Sequence, residues 1–278
     1  MENYPEISIK PEEGDINFVN INHLHQYVLL IEILHTTFKI KIYNTDNQDI
    51  IPINYLFFNE NNYPIIHESA YKIEPKNVFL NLSEIYTNHP FLNSNNFSAV
   101  IIIVDSKQFC LVPKTVFKKE YNKSYLNLSL SETQKTQQTT LNFEHAESIN
   151  IYSISEQLYE WFLNKYAFCN VHFTPKISTL IEKSFKTKKL NAQIYCENKS
   201  FMIAITDIDK LLFTNTFNFE TAQDMLFYLM SVVDNLKINP TELAVNFEGN
   251  CSIMTNNFDC FLNFFPTSVL HKFENKIL

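Results

Sequence analysis

Apolar and polar residues alternate in two stretches of the chain, and they do so in the same phase. In "YVLLIEILHTTFKIKIYN" (27–44), Phe38, Ile40 and Ile42 point one way while Lys39, Lys41 and Tyr43 point the other. That period of two marks a half-buried strand. An apolar strand before it and a tight turn over "LHTT" complete an opening hairpin. "NTDNQD" (44–49) reads as a further turn, with a third strand expected near Ile50–Phe58. The pattern returns in "FMIAITDIDKLLF", where Phe201, Ile203, Ile205 and Asp209 follow Phe38, Ile40, Ile42 and Asp46 at a constant offset of 163 positions. Ile31 and Ile33 fall on Ile194 and Cys196 at that offset, and Ile50–Ile51 match Leu211–Leu212 after a two-residue deletion. Each copy is read as a three-stranded meander.

Helices and strands alternate after each copy. "VFLNLSEIYTNHPFL" predicts a short helix ending before Pro90, and "SAVIIIVD" (98–105) a strand buried on both faces. "FCLVPKTVF" follows, then "SLSETQKTQQTT", whose polar composition predicts a solvated loop around 129–140. A strand to Tyr152 is expected next, with Ser153 and Glu156 at capping-box spacing before a helix that buries Leu158, Trp161 and Phe162. "CNVHFT" predicts a strand and "KISTLIEKSF" a helix, and the basic run "KSFKTKK" (183–189) reads as a solvated linker rather than an anion site. Ala222, Met225, Leu226, Leu229, Val233 and Leu236 recur at helical spacing until Asn239–Pro240. A buried strand over "ELAVNFEG", a strand near "CFLNFF" and a terminal helix complete the reading. The fold class expected is α/β, a duplicated mixed sheet with each half opening on an antiparallel meander. Residues 1–20 form an N-terminal arm, 21–188 a first lobe carrying the polar loop around 129–140, and 189–278 a second lobe.

Composition narrows the function. A chain of 278 residues is long enough for about two domains. No apolar run approaches the roughly 18 residues of a membrane span. The opening "MENYPEISIKPEEGD" is polar and acidic, unlike a secretory signal, and the five cysteines contain no C-x-x-C pair. A cytoplasmic protein without membrane insertion is expected. The chain has only two glycines, Gly14 and Gly249, and no arginine, since all 22 basic residues are lysines. Glycine lets backbone N–H groups approach a phosphate, and arginine grips it bidentately. With a net charge of -8, nucleic acid is not an expected partner.

The stretches "FCLVPKTVF", "INIYSISEQLYEWFLNKY" followed by "VHFTPKISTLIE", and "LAVNFEGNCS" resemble the actin-like ATPase superfamily, whose two ribonuclease H-like lobes flank a nucleotide cleft. More closely they resemble an uncharacterised bacterial family of unknown function with that fold, and they are similar to the cytoplasmic actin-like proteins of pilus and secretion machines. The likeness runs from about residue 25 to near the end of the chain. It implies a duplicated ribonuclease H-like fold, and it locates where a nucleotide site would lie. The first phosphate loop would be Glu32 to Thr37, where "EILHTT" replaces the usual Asp and glycines. The second would be "YCENKS" (195–200), also without Asp or Gly, and the adenosine motif "FEGN" retains only Gly249.

Two readings follow from the resemblance. In the first, the nucleotide site is degenerate, no cofactor is bound, and the protein works as a scaffold or adaptor for an unidentified protein partner. That reading anticipates an apolar or aromatic patch near the cleft, with His35 and Tyr195 filling it. In the alternative, ATP and Mg bind a reduced site made of Thr36, Thr37, Lys199, Ser200 and Gly249. Two-metal nuclease chemistry would need more clustered carboxylates than Glu32 and Asp105 supply. His23 and His25 could share a strand face as metal ligands, with an exposed pair as the ordinary reading. The cysteines lie mostly in apolar runs and read as small core residues. Neither the oligomeric state nor any catalytic residue follows from the sequence.

Overall fold

The structure, a computed structural model, describes residues 19–44, 65–128, 138–145, 147–197, 199–249 and 252–270. In chain order the strands are β1 (Tyr27–Ile33), β2 (Thr37–Asn44), β3 (Ile65–Lys72), β4 (Ala99–Val104), β5 (Phe109–Pro113), β6 (Gln138–Glu144) and β7 (Ser148–Ser155). They continue with β8 (Asn170–Pro175), β9 (Asn191–Glu197), β10 (Ser200–Asp207), β11 (Lys210–Asn218), β12 (Ala244–Glu248) and β13 (Val269–Leu270). The α-helices are α1 (Val78–Asn88), α2 (Asn122–Leu128), α3 (Glu156–Lys165), α4 (Lys176–Lys186), α5 (Ala222–Asn235), α6 (Ser252–Asn256) and α7 (Phe258–Leu262). Among the described residues, one compact unit comprises the chain up to Val104 together with Gln157–Phe173, and a second comprises Asp105–Glu156 with the chain from Thr174 onward.

The first unit is built on a five-stranded sheet in the order β3-β2-β1-β4-β8. Strand β1 runs antiparallel to β2 and parallel to β4, and all seven of its residues are buried. That burial explains an apolar run with little alternation, since a central strand has no solvent face. Around it, α1 and α3 carry Leu82, Ile85, Tyr86 and Phe162 into the core. Trp161 meets Tyr86 and Phe162 edge-on, as a core anchor would.

In the second unit a five-stranded sheet has the order β11-β10-β9-β12-β13, the same spatial sequence as the first sheet. The match extends to register. Ile31 faces Ile40 in β1–β2 and Ile194 faces Ile203 in β9–β10, while Ile33–Phe38 corresponds to Cys196–Phe201. The 163-residue offset is therefore a structural repeat. Helix α5 covers this sheet, burying Met225, Leu229 and Val233 in one core with Ile194, Ile203 and Phe247. A three-stranded sheet, β5-β7-β6, belongs to the same unit. No helix among the described residues is long and apolar enough to cross a membrane.

Some local expectations lie outside the described residues, and others are corrected. The strand read near Ile50–Phe58 and its match to Leu211–Leu212 lie outside the described residues, as do Asp46 and the terminal helix; the strand paired with β2 is Ile65–Lys72. Residues 129–137 of the polar loop are likewise outside, but Gln138–Thr140 already belong to β6. Ser153 caps no helix, because β7 continues to Ser155 and the Ser153 hydroxyl donates to Gln108 Oε1 at 2.9 Å. The "CFLNFF" segment opens with helix α7 rather than a strand: Phe261 and Phe265, four apart, are both fully buried, and Phe261 meets Phe247 edge-on. The basic run is no linker either. Lys183 and Lys186 lie in α4, and Lys188 forms an ion pair with Asp209.

Candidate functional site

The turn joining β1 to β2 is the segment that the sequence resemblance marks for a first phosphate loop. Here the Leu34 N–H donates to the Thr37 carbonyl at 2.9 Å, and the Ile73 N–H donates to the Thr36 carbonyl at 2.9 Å. Leu34 and Thr37 are buried, while His35 and Thr36 are half-buried. Glu32 is also buried, opposite Lys39 on β2, with its carboxylate 3.9 Å from the ammonium. These bonds close the hairpin and tie it to the residue after β3.

Lys199, Ser200 and Gly249 belong to the second unit, and the structure gathers them at one end of the β9–β12 pair. Gly249 has φ +109°, a region L side chains rarely adopt, and a Cβ built on it would lie 1.9 Å from the Cys196 carbonyl oxygen. Glycine is therefore demanded twice here, by the turn after β12 and by contact with β9. Ser200 Oγ donates back to the Glu197 carbonyl at 3.3 Å. The Lys199 ammonium pairs with the Glu220 carboxylate, and its carbonyl accepts from the Phe219 N–H at 2.9 Å. Thr36 and Thr37 are residues of the other unit.

Beneath this turn lies a charged cluster that sequence reading did not foresee. Tyr195, which faces Glu248 in the β9–β12 register, is buried, and its hydroxyl donates to Glu197 Oε2 at 3.2 Å. The Lys176 ammonium, buried at the first turn of α4, stands 4.5 Å from the centre of the Tyr195 ring and 3.8 Å from Glu248 Oε1. Lys183, two turns further along α4, donates to Glu248 Oε2 at 2.9 Å. A cation is poorly placed at a helix N-terminus unless an acid and a π face compensate, and both do so here.

A second hidden network joins α4 to the sheet containing β6 and β7. His145 Nδ1 lies 2.6 Å from Glu182 Oε1, and its Nε2 lies 3.1 Å from Ser178 Oγ, which accepts from Asn150 Nδ2 at 2.9 Å. This is the geometry of a serine, a base and an orienting acid. All four side chains are buried, Ser178 and Asn150 completely, so no substrate reaches the hydroxyl. The network braces the fold. Its partners are 28 to 37 residues apart in sequence, with only the i, i+4 spacing of Ser178 and Glu182 as a local signal.

The cysteines and the His23–His25 pair complete the candidates. Burial pushes the Cys110 and Cys169 thiols up, away from the thiolate a nucleophile needs. His23 and His25 sit on a 3-10 helix, Ile21–Gln26, rather than a strand; both are exposed, with ring centres 5.8 Å apart. Among the described residues no group of three or more His, Cys, Asp and Glu is set to hold a metal ion.

Comparison with known proteins agrees with this architecture. Residues 16–267 match the model of a family described as "Protein of unknown function (DUF3822)". No curated protein matches the chain. A crystal structure from Bacteroides thetaiotaomicron, of a protein with actin-like ATPase fold and unknown function, has a TM-score of 0.74 at 18% identity, covering 91% of this chain and 93% of that one. That likeness shows the actin-like ATPase fold that the sequence resemblance implied. The PilM–PilN type IV pilus biogenesis complex gives a TM-score of 0.48 at 9% identity, covering 87% of each chain, which is too slight to carry an argument.

Proposed function

The chain belongs to the DUF3822 family of proteins of unknown function, and from that premise we propose that it is a non-catalytic scaffold or adaptor of actin-like ATPase fold, acting in the cytoplasm through contacts with a protein partner. The observation that carries this reading is the state of two neighbouring segments of the second unit: the glycine after β12 is packed against the Cys196 carbonyl, and the serine opening β10 bonds back to Glu197. Catalysis of phosphoryl transfer rests on preorganised backbone N–H groups and metal-binding carboxylates around the phosphates. Gly249 and Ser200 are instead engaged with the backbone of β9.

One feature favours the alternative, a reduced ATP site using Thr36, Thr37, Lys199, Ser200 and Gly249. The Lys199–Glu220 pair is solvent-exposed, and such pairs contribute little, so the ammonium is readily redirected to a phosphate. Titrating Mg-ATP into the purified protein separates the two. The scaffold reading predicts no saturable heat at millimolar nucleotide, in the wild type or in Glu220→Ala, where Lys199 is released. Saturable heat that disappears in Lys199→Ala would overturn it. Gly249 is unsuited to this test, because its substitution disturbs the fold first.

A further inference from the structure

Strand β11 ends the second unit's sheet, paired with β10 along one flank and with no strand along the other among the described residues. A strand edge of that kind presents unpaired backbone N–H and C=O groups, and folds guard it with charge, proline or a bulge. The equivalent edge of the first sheet, β3, carries Glu68 at its middle and Lys72 at its end. Residues 211–218 of β11 have no charge and no proline. Its register shift, opposite Ile205 and Thr206, leaves residues 213–218 regular. On one face of that stretch Phe213 and Phe217 stack at 6.3 Å, and Tyr228 of α5 stacks on Phe217 at 4.9 Å. Phe227, 66% exposed, continues the aromatic row 5.8 Å from Tyr228. The hydrogen-bond phase of the strand is fixed at its end. The Phe219 N–H donates to the Lys199 carbonyl at 2.9 Å, in the same alternation that pairs Phe217 with Phe201 and Asn215 with Ile203. Odd-numbered residues therefore bond inward to β10, while Thr214, Thr216 and Asn218 turn their backbone groups outward. The Thr216 N–H agrees, being taken up by the side-chain oxygen of Asn215 at 2.8 Å.

We propose that a second copy of the chain occupies this edge, β11 pairing antiparallel with its counterpart about a two-fold axis at Asn215, so that the two sheets become continuous. That register sets Thr214 opposite the partner's Thr216. Both have their backbone groups turned outward, and each such pair exchanges two hydrogen bonds. The Asn215 side chain then yields the Thr216 N–H to a strand carbonyl. On the aromatic face Phe213 meets the partner's Phe217, and on the other face threonine meets threonine, both favourable cross-strand pairs. An axis at Thr214 would instead set Phe213 against asparagine. No charges oppose each other within the stretch, and the Lys210 end of each strand runs towards the Glu220 end of the other. A two-fold contact of this kind closes at two copies. An unrelated extended peptide would take the backbone bonds alone, whereas a second copy also supplies the matching aromatic row.

Sedimentation velocity of the full-length protein across the micromolar range tests this. Asn215 is exposed and lies on the axis, so a charge placed there meets its own copy without disturbing the core. The wild type is expected to sediment as a dimer that dissociates on dilution. Asn215→Lys and Asn215→Glu, each alone, are expected to weaken the dimer at least about tenfold, and their equimolar mixture to restore it. Thr216→Pro removes an outward N–H while the inward bonds to β10 remain, so it is expected to be monomeric with a wild-type circular dichroism spectrum. A wild type that stays monomeric throughout the range overturns the proposal. So does a dimer that either Asn215 variant leaves intact, or a mixture of the two that remains monomeric.

Discussion

Gly249 and His89 are the two residues whose surroundings dictate the clearest outcomes. At Gly249 a methyl group meets a strand carbonyl at 1.9 Å with φ fixed at +109°, so neither partner can yield without moving β9 or β12. Gly249→Ala is expected to cost about 3 kcal/mol or more, as strain and overpacking add, and urea denaturation measures it directly. His89 is held down to about 3 from 6.5, by burial first and by the neighbouring His67 second. Because the folded value lies below the unfolded one, the unfolded chain binds the extra proton between those limits. The contribution of His89 is whole above pH 6.5 and is lost progressively as the pH falls towards 3. The unfolding free energy from urea denaturation should therefore drop between pH 7 and pH 4.5, by at most about 1.4 kcal/mol per pH unit from this residue, and less steeply in His89→Gln. Gly249 was legible in the sequence, being one of two glycines in a chain that otherwise avoids them. The environment of His89 was not, because its partner His67 comes from another element and nothing local announces the contact.

Helix α4 shows what can and cannot be read at the level of an element. Its sequence, "KISTLIEKSFK", has the spacing of an amphipathic helix, with Ser178 and Glu182 on the polar side. In the fold that side is buried as well, because β6 and β7 bring His145 and Asn150 to it. Periodicity reports polarity, not exposure, and a polar stripe satisfied by a polar partner looks the same as a solvated one. Glu182→Ala leaves His145 without its 2.6 Å partner and should destabilise by about 2–4 kcal/mol. Chemical denaturation of Glu182→Ala, His145→Ala and the double variant tests the coupling, which should make the double loss clearly smaller than the sum. The meander strands were legible for the opposite reason. One-sided or complete burial of β2, β9 and β10 stamps a regular apolar pattern on the chain, and an exact repeat of register preserved it over 163 positions. The segment at Ser153–Glu156 misled because capping-box spacing also fits a strand end whose serine bonds elsewhere.

At the scale of the molecule, the duplicated sheets are the firmest inheritance from the sequence. Two five-stranded sheets share one strand order, and the actin-like ATPase fold of the Bacteroides thetaiotaomicron protein spans nearly the whole of both chains. What that fold does in this chain depends on its turns. Around Leu34 and Thr37 the backbone closes on itself, and around Lys199, Ser200 and Gly249 the polar groups engage their own neighbours. The charged cluster of Lys176, Lys183, Tyr195 and Glu248 reinforces that corner, joining α4 to the β9–β12 pair through contacts no local pattern predicts. The scaffold and ATP-binding readings therefore differ in what they ask of these turns, and turnover separates them. The most direct measurement is phosphate release from Mg-ATP by the wild-type protein, set beside Lys199→Ala over the same hours. The account predicts indistinguishable, background-level release from both. Steady turnover by the wild type that Lys199→Ala abolishes would contradict it.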